Sequence, residues 1–101
     1  MLVAFSVAPA AGDESGSVAA AVAAAVQVVR ESGLPHETTS MFTTIEGEWD
    51  EVFDVVKRAT DAVVAVSSRV SLVLKADIRP GFTGQLRAKV DRVEELLAGG
   101  E

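Results

Sequence analysis

The chain has 101 residues, 49 % of them hydrophobic, with 9 basic against 15 acidic side chains and a net charge of −6. That length suits one compact domain, residues 1–101, and the composition excludes a disordered or low-complexity chain. The acidic balance removes long-range attraction to nucleic acid or to an anionic membrane; the absence of cysteine removes disulfides, thiolate catalysis and cysteine metal sites, and fits a reducing cytoplasm.

The opening stretch, MLVAFSVAPAAG, has no basic residues before its short apolar run, so it reads as a strand and poorly as a signal peptide. Val3, Phe5 and Val7 alternate with Leu2, Ala4, Ser6 and Ala8, and Pro9 closes the run. The following AAGDESGS is a loop in which Ser15 or Ser17 can cap a helix. That helix carries Val18, Val22, Val26 and Val29 at helical spacing and stops at Gly33. Its apolar run is interrupted by Gln27 and is shorter than the roughly 20 residues a bilayer span requires. The other positions are mostly Ala, a small apolar surface that suits close approach by another element or subunit.

Two extended pieces rich in β-branched residues, 36–39 and 41–46, predict a hairpin. A second helix over 49–66 places Trp49, Val52, Phe53, Val56, Ala59 and Val63 on one side, with Trp49 as its anchor in the core. Asp50, Asp54, Lys57, Arg58 and Asp61 cover its outside and can pair along the helix. In RVSLVLKADIRP, a last strand sets Val70, Leu72, Leu74, Ala76 and Ile78 against Ser71, Val73, Lys75 and Asp77, ending at Pro80 and Gly81. A terminal helix holds Phe82, Leu86, Val90, Val93 and Leu97 on one stripe.

The order predicts an α+β, ferredoxin-like βαββαβ fold: an antiparallel sheet with helices on one face, plus a C-terminal helix. The other sheet face is then open. With the first and third strands central, Ser6, Phe42, Thr44, Glu46, Ser71, Val73, Lys75 and Asp77 are expected on or near it. That mixture of apolar and hydroxyl groups suits either a partner sheet or a small ligand.

The densest chemistry lies in TTIEGEWDEVFDVV, which holds Glu46, Glu48, Asp50 and Glu51. A carboxylate metal site needs oxygens converging on one point, but the strand sends Glu46 one way while the other three fall at a helix start. There they stabilise the positive helix end and its free N–H groups. Glu46, at the end of a central strand, can accept hydrogen bonds from a ligand or pair with Lys75. His36 is the only histidine, which leaves no His-rich metal site and no His-containing triad, and reads as a surface or interface residue. The loop PAAGDESGS lacks nucleotide-binding glycine spacing, and its Asp13 and Glu14 would repel phosphate. It also lacks the Arg that an acylphosphatase-type loop would carry. RNA binding on this fold would need aromatics on the central strands and a basic surface, and only Phe5 and Phe42 are candidates. No catalytic residue and no cofactor is therefore assigned.

The segments SGLPHETTSMFTTIEGE, TTIEGEWDEVFDVVKRA and RVSLVLKADIRPG resemble the thiamine-binding, YkoF-like family of small ferredoxin-like proteins, over nearly the whole chain. The block T-x-I-E-G-E-W-D-E is the most specific part, and Lys75, Asp77, Arg79 and Gly81 support it. His36 departs from the aromatic, such as Tyr, found in many members. The resemblance implies non-enzymatic binding of thiamine or its hydroxymethylpyrimidine part, in thiamine transport or salvage, by a cytoplasmic homodimer or homotetramer paired through open sheet faces. It carries over Thr43, Thr44 and Glu46 as ligand contacts. Ser6, Lys75 and Asp77 join them by their expected place on the open face, and Met41, Phe42 or Ile45 supply apolar walls. An aminopyrimidine has an amine donor and ring-nitrogen acceptors, which these hydroxyl and carboxylate groups complement. The reading from a different class is a structural or regulatory oligomerisation module with no small-molecule ligand.

Overall fold

The computed structural model describes residues 1–10 and 18–99. Its elements are β1 (Leu2–Pro9), α1 (Val18–Glu31), β2 (His36–Thr38), β3 (Thr43–Glu46), α2 (Trp49–Val64), β4 (Val70–Asp77) and α3 (Gln85–Gly99). The strands form one antiparallel sheet in the order β2-β3-β1-β4, with α1 and α2 packed on one face. This is the ferredoxin-like α+β arrangement expected from the chain order. The capping role expected of Ser15 or Ser17 lies outside the described residues. Among the described residues no helix is long and apolar enough to cross a membrane.

The alternation in β1 sets the two faces. Val3 is in register with Ile45 and Ala76, and Phe5 with Thr43 and Leu74, so these residues point together toward the helices. Val3, Phe5, Val7 and Ile45 are buried there with Val29 of α1 and Val52, Val55, Val56, Ala59 and Val63 of α2. The hairpin is shorter than expected: β2 stops at Thr38 and β3 starts at Thr43, because Thr39 and Phe42 close a turn between them. In that turn the Thr39 N–H donates to the Phe42 carbonyl at 2.9 Å. Phe42 consequently leaves the open face assigned to it and lies in the turn.

Two helices differ from the predicted faces. In α1 the buried positions are Ala21, Ala25 and Val29, whereas Val18 is exposed and Val22 and Val26 are half-buried. Methyl side chains let α1 approach α2 and the sheet closely; Val29 keeps its place in the core, while Val18, Val22 and Val26 are turned to the side. In α2, Trp49 is not a core anchor. It is 55 % exposed and stacks on Phe53 with ring centroids 5.2 Å apart. The helix start is held instead by Glu51, whose carboxylate accepts the Glu48 N–H at 3.0 Å, the back-reaching half of a capping box. Arg58–Asp54 and Lys57–Asp61 pair along its outer surface as expected.

The predicted third helix forms, but no residue of α3 is buried. A compact chain of this length has a radius of gyration of about 13 Å. Here it is 15.5 Å, with a longest dimension of 53 Å, because α3 runs outward. Ile78 and Phe82, expected to extend the last strand and the terminal helical stripe, fall in the segment between β4 and α3. There the Arg79 guanidinium sits 3.6 Å above the Phe82 ring.

Candidate functional site

Strand alternation divides the six candidate residues between two places. On β3, Thr43 pairs with Phe5 and is turned toward the helices, while Thr44 pairs with Ala4 on the open face. The two threonines cannot contact one small ligand from adjacent positions of one strand. Lys75 and Asp77 are level with Ala4 and Leu2 on the open face, and Ser6 lies further along it, level with Val73.

Thr44, Lys75 and Asp77 border a hollow of about 420 Å³ with Leu2, Ala4 and Lys89. Lys89, from α3, was not foreseen from sequence; it donates a hydrogen bond to Asp77. That bond and the Lys89 charge hold the Asp77 carboxyl below its ordinary value against desolvation, with Arg79 and Lys75 adding lesser attraction. The hollow is therefore shallow and charged, and its carboxylate already has a partner.

Glu46 also belongs to the open face, but it is only 7 % exposed because the start of α3 covers it. Its Oε2 accepts the Gln85 N–H at 2.9 Å and its Oε1 accepts the Leu86 N–H at 3.1 Å. A helix begins with N–H groups that lack partners inside it, and an acidic side chain there matches both the hydrogen bonds and the dipole. Glu46 makes this contact across 39 residues of sequence. Its carboxylate is thus engaged by the chain itself, rather than by Lys75. His36 is likewise engaged locally: Nδ1 lies 2.8 Å from the Leu34 carbonyl, which makes it the donor.

The second place is on the helix side of the sheet. A cleft of about 190 Å³ opens between α1 and the turn joining β2 to β3. Phe5, Val22, Val26 and Phe42 give it apolar walls, and Thr38, Thr39 and Thr43 also border it, the Thr39 hydroxyl donating within the turn to the Phe42 carbonyl at 3.0 Å. Thr43, 8 % exposed, has its hydroxyl oxygen 3.5 Å from that of Thr38. Met41 also lines the cleft, whereas Ile45, named as a possible wall, is fully buried in the core. The valines at 22 and 26, read from sequence as core, are free to line this cleft because the alanines beside them face inward. Their helical spacing was visible in sequence, but which apolar face turned inward was not.

A sequence model described as thiamine-binding protein matches residues 3–94. The chain belongs to the thiamine-binding protein family. Within it, the chain is 51 % identical over 99 residues to the UPF0045 protein Mb1933 of Mycobacterium bovis, covering 96 % of this chain and 94 % of the relative. It is similar to the solved structure of a domain of unknown function from Bacillus cereus, at 36 % identity and a TM-score of 0.76, covering 92 % and 90 % of the two chains. A Thermotoga maritima protein provisionally assigned to thiamine biosynthesis or salvage aligns with a TM-score of 0.74 at 27 % identity, over 90 % of this chain and 97 % of that one.

Proposed function

We propose that this family member binds thiamine, or its hydroxymethylpyrimidine part, without transforming it, and that the pyrimidine enters the cleft between α1 and the β2–β3 turn. The observation that carries the reading is the lining of that cleft: apolar walls on α1 and Phe42, with the neighbouring Thr38 and Thr43 hydroxyls between them. A flat heterocycle with a donor amine and acceptor nitrogens needs apolar surface on its faces and groups that both donate and accept at its rim. Threonine hydroxyls do both. Pockets for drug-sized ligands run from roughly 300 Å³ upward. A cleft of about 190 Å³ therefore suits the pyrimidine alone, leaving the thiazolium ring of thiamine at the mouth. An acidic protein favours that cation.

The family membership and the Thermotoga relative support a place in thiamine transport or salvage. Self-association through the open sheet face belongs to the same reading, since Val73 is exposed there among Ala4, Ser6 and Ser71. The test of the site is a titration with hydroxymethylpyrimidine followed by amide and methyl NMR. Shifts should concentrate at Val22, Val26 and residues 38–43. Shifts confined to Ala4, Thr44 and Lys75 would move the ligand to the open face. The absence of any shift at millimolar ligand, with the oligomer intact, would favour the oligomerisation module.

A further inference from the structure

We infer that the hollow bordered by Trp49, Arg79 and Phe82 is a second small-molecule site, separate from the cleft on α1, and that it takes a planar, single-ring aromatic carboxylate. Trp49, Ile78 and Phe82 give this hollow of about 230 Å³ its apolar walls, and Glu48 and Arg79 also border it. Each of the three apolar side chains is exposed over roughly half its surface. One such side chain on a surface is ordinary, but three around a single concavity form a patch suited to contact with something other than water.

The chain itself holds the rings in place. Arg79, Pro80, Gly81 and Phe82 close a turn in which the Phe82 N–H donates to the Arg79 carbonyl at 3.1 Å. Pro80 at its second position and Gly81 at its third, with a φ of +83°, are the residues that a type II turn favours. Within that turn the Arg79 guanidinium sits over the Phe82 ring. Trp49 is fixed in its turn by stacking on Phe53, with the two planes 18° apart. A guanidinium laid on a ring spends its face there and keeps its N–H edge for another partner. Among the described residues the Arg79 side chain has no hydrogen bond and no ion pair. Asp77, whose carboxyl feels the Arg79 charge, is already bonded to Lys89.

Charge selects the class of ligand. An organic cation would meet Arg79, and a phosphate dianion would meet Glu48 in a chain of net charge −6. The Met1 nitrogen, at the same rim, is turned to the Gly47 carbonyl at 2.8 Å. A carboxylate carries one negative charge and matches the guanidinium fork with two parallel hydrogen bonds. Its ring then lies among the Trp49, Ile78 and Phe82 walls. The volume is short of the roughly 300 Å³ at which drug-sized pockets begin, so it suits one ring.

Trp49 is the only tryptophan and the chain has no tyrosine, so intrinsic fluorescence reports this hollow directly. Benzoate titrated into the full chain should change the Trp49 emission saturably in the millimolar range. Benzamide and benzylamine, similar in shape without the negative charge, should bind at least about tenfold more weakly. Arg79→Gln should weaken benzoate by about tenfold with an unchanged far-UV circular dichroism spectrum. Amide NMR shifts caused by benzoate should gather at residues 78–82 and spare residues 38–43. An emission change that is linear in benzoate, equal for benzamide, or unaltered by Arg79→Gln overturns the inference. So do shifts confined to residues 38–43, or an emission that changes on dilution of the protein and not with benzoate, since a second copy then covers the patch.

Discussion

Glu46 and Gln85 join the end of a central strand to the start of the outward helix: the Glu46 carboxylate takes the Gln85 N–H at 2.9 Å while its other oxygen takes that of Leu86. The glutamate in the most specific sequence block of the chain is therefore a cap for α3. Glu46→Gln keeps one acceptor oxygen, but turns an amide donor toward an N–H and removes the charge that favours the helix end. The expected cost is about 1 kcal/mol of local stability in α3. Amide exchange should quicken at Gln85, Leu86 and the next turn, and stay slow in β1 and α2. Uniform acceleration across the sheet would instead make Glu46 part of the core's own stability.

The second tether of α3 is acid-sensitive. Lys89 holds the Asp77 carboxyl below its ordinary value, so this pair favours the folded arrangement fully above the unfolded carboxylate pKa of about 3.9. The contribution fades as pH falls through the lower, folded value. Between pH 5 and neutrality it should be constant, with release only on strong acidification. A carboxyl-carbon NMR titration of Asp77 should give a midpoint below that of Lys89→Ala, where it returns toward the ordinary range. Coincident midpoints would remove the tether.

The alanine face of α1 makes a contrast between neighbouring positions. Ala25 is buried where α1 meets the core, so Ala25→Leu overfills a close contact and should cost about 1–3 kcal/mol in thermal or urea unfolding. Val22→Ala, on the cleft wall, should cost under about 1 kcal/mol, since the side chain is only half-buried. Its effect should fall on ligand affinity. Equal destabilisation by the two would mean that Val22 shares the core with Ala25.

Local pattern carried the architecture and left out what depends on distance. The alternation of Val3, Phe5 and Val7 revealed both sheet faces, because only one period-two reading buries three large apolar residues. In α1 the Val22–Val26 side and the Ala21–Ala25 side are both apolar, so hydrophobicity alone could not choose between them. Size decided, since the smaller face packs closer. Trp49 was assigned to the core by its helical spacing with Val52, Phe53 and Val56, yet it sits at the first position of α2 and stacks on Phe53. Thr43 and Thr44 were grouped as ligand contacts by the family resemblance, although successive strand residues point apart. The partners of Glu46 and Asp77 both come from α3, and no local spacing encodes contacts 39 and 12 residues away.

The central claim is that the Thr43 side of the sheet, not the Thr44 side, holds the ligand. Isothermal titration of hydroxymethylpyrimidine and thiamine into wild type, Thr43→Val and Thr44→Val tests it directly. Both ligands should bind wild type, Thr43→Val should weaken them about tenfold through the lost hydroxyl, and Thr44→Val should leave them unchanged. Loss of binding in Thr44→Val with full binding in Thr43→Val would contradict it, as would no heat from wild type with either ligand at millimolar concentration.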